Sequence, residues 1–585
     1  MSATLIKAYC SSGCVFLTFD WTDGKDHPDF LGFAVERTPG YKGHRSDFLF
    51  NKLDFKALTP TAKPKPSNLA PIQKFNWWDG GIESKDVGHE FTYRVTPVLG
   101  TGSNDLHLKE DAAGFIKVKI PERRDGKIAS YFNRAVVSSQ SFKAMAKAAP
   151  LEKQMDWLAN GLQDAVPGIL KESDGFDCAI YHLSDGRWIV PAFQSFKGHG
   201  LLVYFDKPID RKSAMALKNP KAKLGPNISV HARTKISKLM HDKFIVGFKG
   251  GHETRVLMGS TNFTPEAQTV QANLLHIIES PQLARLYAAR GKLLAADPPM
   301  KQTDQAAGWK EVTDVPGTRL RVFFLPESGT HRTFLDTVTN AVKQAKSSVL
   351  FCMFTASDQP LMDAIFAVGD RNDRLIYGLL NAIDDPDKPT KSGKPRKSSE
   401  VAVSIFHRSS SPHPDTISFD AFGQDAPMGF LPELRSIDTS KFDLSSTKAQ
   451  AKGSGKGAKG PPPIHIHHKF IVIDGDTDHP TIYTGSPNFS KSSENGNDEN
   501  VLEIKDNTQL ARVYVAEFMR LYNHYRARAI WERGHAKHGS PARQSAQVPA
   551  HSPHEALVLK TTRDGWVADA YKPGTKEFLA RTRHL

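Results

Sequence analysis

The stretch "PPPIHIHHKFIVIDG", residues 461–475, sets His465, His467, His468 and then Lys469 in front of an apolar run. Three histidines within four positions suggest a metal site, whereas the lysine beside them suggests an anion. Side chains two apart on a strand share a face. His465 and His467 therefore project together and His468 opposes them, so a regular strand cannot aim all three at one ion. No cysteine lies nearby and Asp474 comes only after the apolar run, which leaves zinc without a full donor set. His467 and Lys469 do share a face, and an imidazole beside a cation suits a phosphate: one group moves protons or attacks, the other neutralises charge.

The pairing recurs. "LMHDKFIVGF" followed by "LMGSTNFT" in one half answers "IHHKFIVIDG" followed by "YTGSPNFS" in the other. Both carry H-x-K-F-I-V and then G-S-x-N-F. His241 stands 18 residues before Gly259 and 21 before Asn262, and His467 stands 18 before Gly485 and 21 before Asn488. The same residue types at the same spacing mark an internal duplication. His465 has no counterpart, because Leu239 occupies the matching place. The Phe-Ile-Val run reads as a buried strand that fixes the His and the Lys, and G-S-x-N reads as a turn on a neighbouring strand. Lys243, Lys469, Asn262, Asn488, Ser260 and Ser486 around one point would cradle a phosphate with cations and neutral donors. His241 and His467 would supply a nucleophile and a general acid.

These motifs closely resemble the phospholipase D superfamily over roughly residues 130–530. The resemblance implies two mixed-sheet α/β halves related by pseudo-twofold symmetry, with both H-x-K and G-S-x-N sets meeting in one active site. It implies that one His attacks phosphorus to form a phosphohistidine. The other protonates the leaving oxygen and then activates the water or alcohol that releases the product, without metal or cofactor. Two places depart from the family pattern. H-x-K-x-x-x-x-D is completed by Asp474 in the second half but by Phe248 in the first, and that Asp is expected to be structural. "NDENVLEI", residues 497–504, resembles the segment whose carboxylate orients the catalytic His, which would be Glu499; "VQANLLHI" puts Ala272 there, with Gln271 beside it. A carboxylate against an imidazole favours the protonated ring. Glu499 is therefore expected to orient His467 as general acid/base, leaving His241 neutral as the nucleophile.

The elements that position these residues follow from patterning. The chain of 585 residues is long enough for about three or four domains. Residues 1–125 contain "VFLTFDW", "LGFAVER", "FTYRVTPVLG" and "GFIKVKI", short β-rich runs between turn residues, and are expected to form a fibronectin III-like β-sandwich. Residues 126–296, the first half, alternate helix and strand: Met155, Leu158, Leu162, Ala165 and Val166 share a helix face, and "FDCAIYHL", "HGLLVYFDK" and "ISVHARTK" are strands. Residues 297–318 are expected as a linker, 319–534 as the second half, and 535–585 as a C-terminal extension. The second half repeats the alternation through "RLRVFFL", "SSVLFCMF", "RLIYGLL" and "VAVSIFHR". An insertion at 409–464 holds "FDAFGQDAPMGFLPEL", readable as an apolar lid, and ends in the low-complexity "STKAQAKGSGKGAKGPPP" with Lys448, Lys452, Lys456 and Lys459. Phe263 and Phe489 read as core, and Trp77 and Trp78 as core or surface aromatics.

The formal net charge of +14 favours a polyanionic partner, nucleic acid or an anionic lipid surface. Cys10, Cys14, Cys178 and Cys352 make no disulfide framework. Neither a secretory signal nor a membrane-length apolar run is read, so the expected location is the cytoplasm, with peripheral membrane contact allowed. The expected function is a phospholipase D-type phosphodiesterase acting on glycerophospholipids, its partner an anionic phosphodiester. The alternatives are a metal-independent endonuclease of the same superfamily and a phosphate-binding scaffold with a decayed first half. No partner for the N-terminal domain is specified.

Overall fold

From Ile128 onward the chain builds one strand order twice. A computed structural model describes residues 2–583 apart from 57–62, 136–148, 305–306, 355–356, 370, 372, 381–438, 446–465, 536–557 and 568. The first sheet runs Ile128–Phe132, Leu274–Ile278, His252–Gly259, Lys243–Lys249, Gly175–Ile180, His199–Phe205. The second runs Arg319–Leu325, Glu499–Lys505, Thr481–Gly485, Lys469–Ile473, Ser348–Met353, Leu375–Leu380. In both, the first four pairings are antiparallel and the last is parallel. The fold is thus mixed α/β with mixed sheets. The first sheet is extended by Ile228–Arg233 and Arg124–Asp125, the second by Trp309–Val312. That last strand pairs with Arg319–Leu325, so the second sheet begins inside the segment expected to be a linker.

The H-x-K strands are apolar on both faces because both faces are covered. Phe244, Val246, Phe470 and Val472 enter one core shared by the two sheets, with Tyr287 from helix Pro281–Ala295 and Tyr514 from helix Thr508–His535. Ile245 turns the other way, under helices Leu162–Lys171 and Ile189–Ser195. Ile471 and Ile473 turn under helices Thr333–Lys343 and Gln359–Gly369. The helical face from Met155 to Val166 belongs to two helices, Leu151–Ala159 and Leu162–Lys171. The break falls at Asn160 and Gly161, whose φ of 49° and 86° are left-handed, the usual helix stop for these residue types.

Two larger antiparallel sheets precede this pair, with the two-stranded Phe50–Asn51 and Lys65–Pro66 beside them in sequence. Leu5–Cys10, Val15–Asp20 and Asn76–Asp79 form one; Gly114–Lys119, Glu90–Leu99, Phe30–Thr38 and Asp47–Phe48 form the other. Phe19, Phe33, Tyr93 and Val95 meet in their common core, joined by Val567 and Ala570 from the end of the chain. Trp77 packs half-buried against that core, and Trp78 against the core shared by the two mixed sheets. Helix Thr508–His535 packs against Leu5–Cys10 and Val15–Asp20, so both ends of the chain brace one side of the molecule. The expected strand "VAVSIFHR", the segment "FDAFGQDAPMGFLPEL", His465 and the four insertion lysines lie outside the described residues. Of insertion 409–464, residues 439–445 are described. They lie on the first half, where Gly186 N–H donates to Phe442 O (2.8 Å) and Leu444 N–H to Ser184 O (2.9 Å). Among the described residues, no helix is long and apolar enough to cross a membrane.

Asp474 closes the second H-x-K strand. Its carboxylate accepts from the backbone N–H groups of Lys346 (2.9 Å), Ser347 (2.7 Å) and Ser348 (3.2 Å), tying down the turn before Ser348–Met353. The first half makes this tie in reverse. Phe248 packs against the shared core, and Asp174, ahead of Gly175–Ile180, reaches across to accept from Gly250 N–H (2.6 Å). The missing motif Asp is therefore compensated from the opposite strand. Asp474→Ala would leave those donors without their acceptor and should lower unfolding stability by about 1–3 kcal/mol, read from denaturant titration.

Candidate active site

Neither motif strand begins at its histidine. The strands start at Lys243 and Lys469, and the residues just before them pair with the opposite half. Met240 bridges Asp498, and His241 N–H donates to Asp498 O at 2.8 Å. Reciprocally, Ile466 bridges Ala272, and His467 N–H donates to Ala272 O at 3.1 Å. This exchange carries both H-x-K sets into one buried place. His241 and His467 are each 5% exposed, Lys243 is 0% and Lys469 1%. Each ammonium donates to the carbonyl of its own motif His: Lys243 to His241 O (2.8 Å) and Lys469 to His467 O (2.7 Å). Burial pulls Lys243 down to about 7 against the raising effect of Glu499 and Asp242. Burial, reinforced by Lys243, takes Lys469 well below the ordinary lysine value.

The exchange also corrects the expected partner of Glu499. Glu499 follows Asp498, so the inter-half pairing delivers it to His241, whose Nδ1 donates to Glu499 Oε2 at 2.8 Å. Asn497 Nδ2 holds the other carboxylate oxygen at 2.9 Å. His467 instead donates from Nδ1 to Asn273 Oδ1 at 2.8 Å. The expectation placed Glu499 on the His of its own half because it overlooked this backbone crossing. Burial lowers His241 to about 4 in spite of Glu499. Burial, then Lys469, Lys243 and His241, set His467 well below its usual value. Burial raises the Glu499 carboxyl, but His241 and Lys243 outweigh it and the net direction is down.

The G-S-x-N loops explain themselves through neighbouring backbone. A Cβ on Gly259 would sit 2.4 Å from Leu274 O, and one on Gly485 2.2 Å from Asn500 O, so only glycine fits at either place. The serines depart from the expected role. Ser260 donates its hydroxyl proton to Asn273 Oδ1 (2.9 Å), and Ser486 donates to Asn500 O (3.4 Å) while accepting from Asn500 N–H (3.1 Å). Both hydroxyls hold the turn to the adjacent strand instead of facing a ligand. The asparagines differ: Asn262 Oδ1 and Asn488 Oδ1 are buried with no hydrogen-bond partner among the described residues. Buried polar atoms of that kind are uncommon and call for a ligand or a solvent partner. Phe263 and Phe489 are core residues. His468 packs on Phe132 (5.9 Å) and Phe470 (5.3 Å), diverging from His467.

Three features were missed in the sequence. Tyr181 and Phe354 occupy the same place in the two halves, one residue beyond the strand that pairs with each H-x-K strand. The Tyr181 ring lies 5.2 Å from Lys243 Nζ and 5.0 Å from the His241 ring; Phe354 lies 5.4 Å from Lys469 Nζ and 5.7 Å from the His467 ring. An aromatic at matching positions of "CAIY" and "CMF" was the available signal. Asn273 is the second, legible only as the counterpart of Asn500 in "ANLL" and "ENVL". The third is a buried ionic clamp. Arg290 binds Asp242 (3.1 Å) and Asp498 (3.3 Å), and Arg233 binds the other Asp498 oxygen (2.9 Å). Asp498 is thereby fixed beside Glu499, with its buried charge fully paired. Glu499→Gln should lower the His241 titration midpoint further while moving that of His467 less, as read by histidine NMR; the reverse ranking would return the carboxylate to His467.

The family model described as cardiolipin synthase, PLD-like domain matches residues 338–522. Solved structures with partial likeness include the phosphatidylserine synthase of Haemophilus influenzae Rd KW20, at 12% identity and TM-score 0.39 over 63% of this chain and 85% of that one. The polyphosphate kinase of Porphyromonas gingivalis is 10% identical, TM-score 0.35, over 63% and 48% of the two chains. Nuc of Salmonella typhimurium, a phospholipase D family member, is 17% identical, TM-score 0.20, over 23% and 87%. No curated protein sequence matches. The matched segment contains His467, Lys469, Asn488 and Glu499, and the first half brings His241 and Lys243 to the same buried place. Residues 338–522 are thus similar to a phospholipase D-like domain, and the first half repeats the H-x-K and G-S-x-N motifs that this segment carries.

Proposed function

We propose that this protein is a phospholipase D-type phosphodiesterase that cleaves or transfers the phosphodiester of a glycerophospholipid through a phosphohistidine on His241. The observation that carries the reading is the reciprocal pairing that sets two imidazoles and two lysines in one buried site. In this reading the two halves are related by a pseudo-twofold axis through that site, and the N-terminal sheets are an accessory β-sandwich. Lys243, Lys469 and the side-chain amides of Asn262 and Asn488 hold the non-bridging oxygens. The phosphate charge counters the burial that depresses both ammonium groups.

His241 Nδ1 keeps its proton on Glu499, so Nε2 carries the lone pair that attacks phosphorus. The P–N bond forms as the P–O bond to the leaving group breaks, and the ring becomes cationic. A buried cation beside two lysines needs a counter-charge, and Glu499 supplies it. The charge of the bound phosphodiester lets His467 take up a solvent proton at Nε2; the ring gives that proton to the leaving oxygen, then takes one from the water or alcohol that displaces the phosphohistidine. This scheme assigns no step to a metal.

The lipid reading draws on the family model, named for a lipid synthase, that spans 338–522. A nuclease reading is favoured by the formal net charge of +14. Wild type, His241→Ala and His467→Ala, each incubated with phosphatidylcholine, phosphatidylglycerol, DNA and RNA with and without EDTA, decide between them. The expected outcome is EDTA-insensitive lipid turnover, with His467→Ala reduced by about 10²–10⁴-fold. Acid-labile, alkali-stable label should form on wild type and not on His241→Ala. Nucleic acid cleavage with inert lipid would sink the lipid assignment, and activity in both variants would sink the two-histidine scheme.

A further inference from the structure

His241 and His467 present the same ring to the site but are backed by different chemistry: a carboxylate behind one, an amide behind the other. We infer that Asn273 is a positioning residue that makes His467 the proton donor of the site, fixing its tautomer while withholding a counter-charge. The inference rests on the two-histidine reading and adds to it the reason the two roles fall as they do.

The amide orientation is determined by its surroundings. Asn273 Nδ2 donates to Ala267 O (3.1 Å) and Gln271 O (3.4 Å), and Asn273 N–H donates to Asn133 Oδ1 (2.9 Å). Asn133 is itself held through Nδ2 by Ala267 O (3.2 Å), Gln268 O (3.2 Å) and Gln271 O (2.7 Å). Turning the Asn273 amide over would set its oxygen against two carbonyl oxygens and its N–H₂ against the Ser260 hydroxyl and His467. Oδ1 therefore faces His467 and accepts from Nδ1, with Ser260 as its second donor (2.9 Å). With Nδ1 protonated, Nε2 is the nitrogen left for proton transfer in the site.

Burial disfavours a charged His467 ring most, followed by Lys469 on its own strand, Lys243 and His241 from the first H-x-K segment, and His182 after Gly175–Ile180. Among the described residues, the one carboxylate bonded to a motif histidine, Glu499, is committed to His241. The place in the repeat that matches Glu499 holds Ala272, which offers His467 only its backbone carbonyl (3.1 Å). Asn273 matches Asn500, whose amide serves Asp242 instead (2.6 Å). A ring backed by a neutral acceptor among cations rests neutral with a lone pair on Nε2; once the charge of the bound phosphodiester lets Nε2 take a solvent proton, the ring gives it up readily to a leaving alkoxide. A ring backed by a carboxylate can bear the positive charge of an N-phosphorylated imidazole. The amide at 273 thus separates two roles that the repeated motif alone leaves equivalent.

The test uses the full chain with Asn273→Asp, Asn273→Ala and wild type. Histidine NMR reads the His467 titration directly, without any substrate. Asn273→Asp should raise its midpoint by at least about one unit. Because the acid must be protonated to act, the pH above which the rate on a phospholipid diester falls should move up with that midpoint, while a p-nitrophenyl phosphodiester, whose leaving group needs no proton, shows no such shift. An unmoved His467 titration in folded Asn273→Asp, or the same pH shift on both substrates, overturns the inference. If Asn273→Asp does not fold, Asn273→Ala carries the test: the ¹⁵N shifts of His467 should show a mixed tautomer, and an unchanged tautomer overturns it. Absence of wild-type turnover would count against the phosphodiesterase reading alone, because the titration still decides the role of Asn273.

Discussion

Two backbone hydrogen bonds organise this protein: His241 N–H to Asp498 O and His467 N–H to Ala272 O. Each draws the approach to one H-x-K strand out of its own sheet and onto the other half. Neither half could form the site alone, because each histidine takes its side-chain partner from across the junction. The shared core, with helix Pro281–Ala295 and helix Thr508–His535 packed into it, holds the sheets at the separation the exchange needs. The Arg290–Asp242–Asp498–Arg233 clamp fixes the segment that carries Glu499.

That geometry makes an electrostatically unequal site. Two lysines and two imidazoles are buried together, and the carboxylate among them is bonded to His241. Burying cations is costly unless they are paired. In the proposed function a phosphodiester brings the missing negative charge and acceptor oxygens for the ammonium groups. The aromatic walls, Tyr181 and Phe354, lie over the lysines and add to the desolvation that strengthens each interaction with an anion.

The surrounding segments brace this centre. The chain's end returns to the N-terminal sheets, where Trp566 Nε1 donates to Phe30 O (3.0 Å) and Val567 and Ala570 join their core. Residues 439–445 reach back from the second half to the first, and Ser184, which meets Leu444, also donates its N–H to Phe263 O, one residue beyond Asn262. The insertion is thereby linked by backbone to one of the two asparagine loops.

The repeat, the mixed α/β class, the strands around both motifs and the identities of His241, Lys243, His467 and Lys469 were legible in the sequence. Each of these depends on local pattern: alternation, buried apolar runs, and residue types recurring at one spacing. The structural part played by Asp474 was legible for the same reason. The partner of Glu499, the use of Ser260 and Ser486 as internal braces, and the place of Asn273 were not. Spacing along the chain says which residues lie near one another within a half, but not which backbone pairs across the junction. Pairing Asp498 with Met240 moves the next residue, Glu499, from the expected His467 to His241. What the sequence determined by itself was the repeated motif and the elements that carry it; tertiary structure decided who faces whom, because contacts between distant segments are set by packing and backbone hydrogen bonds that no local periodicity records.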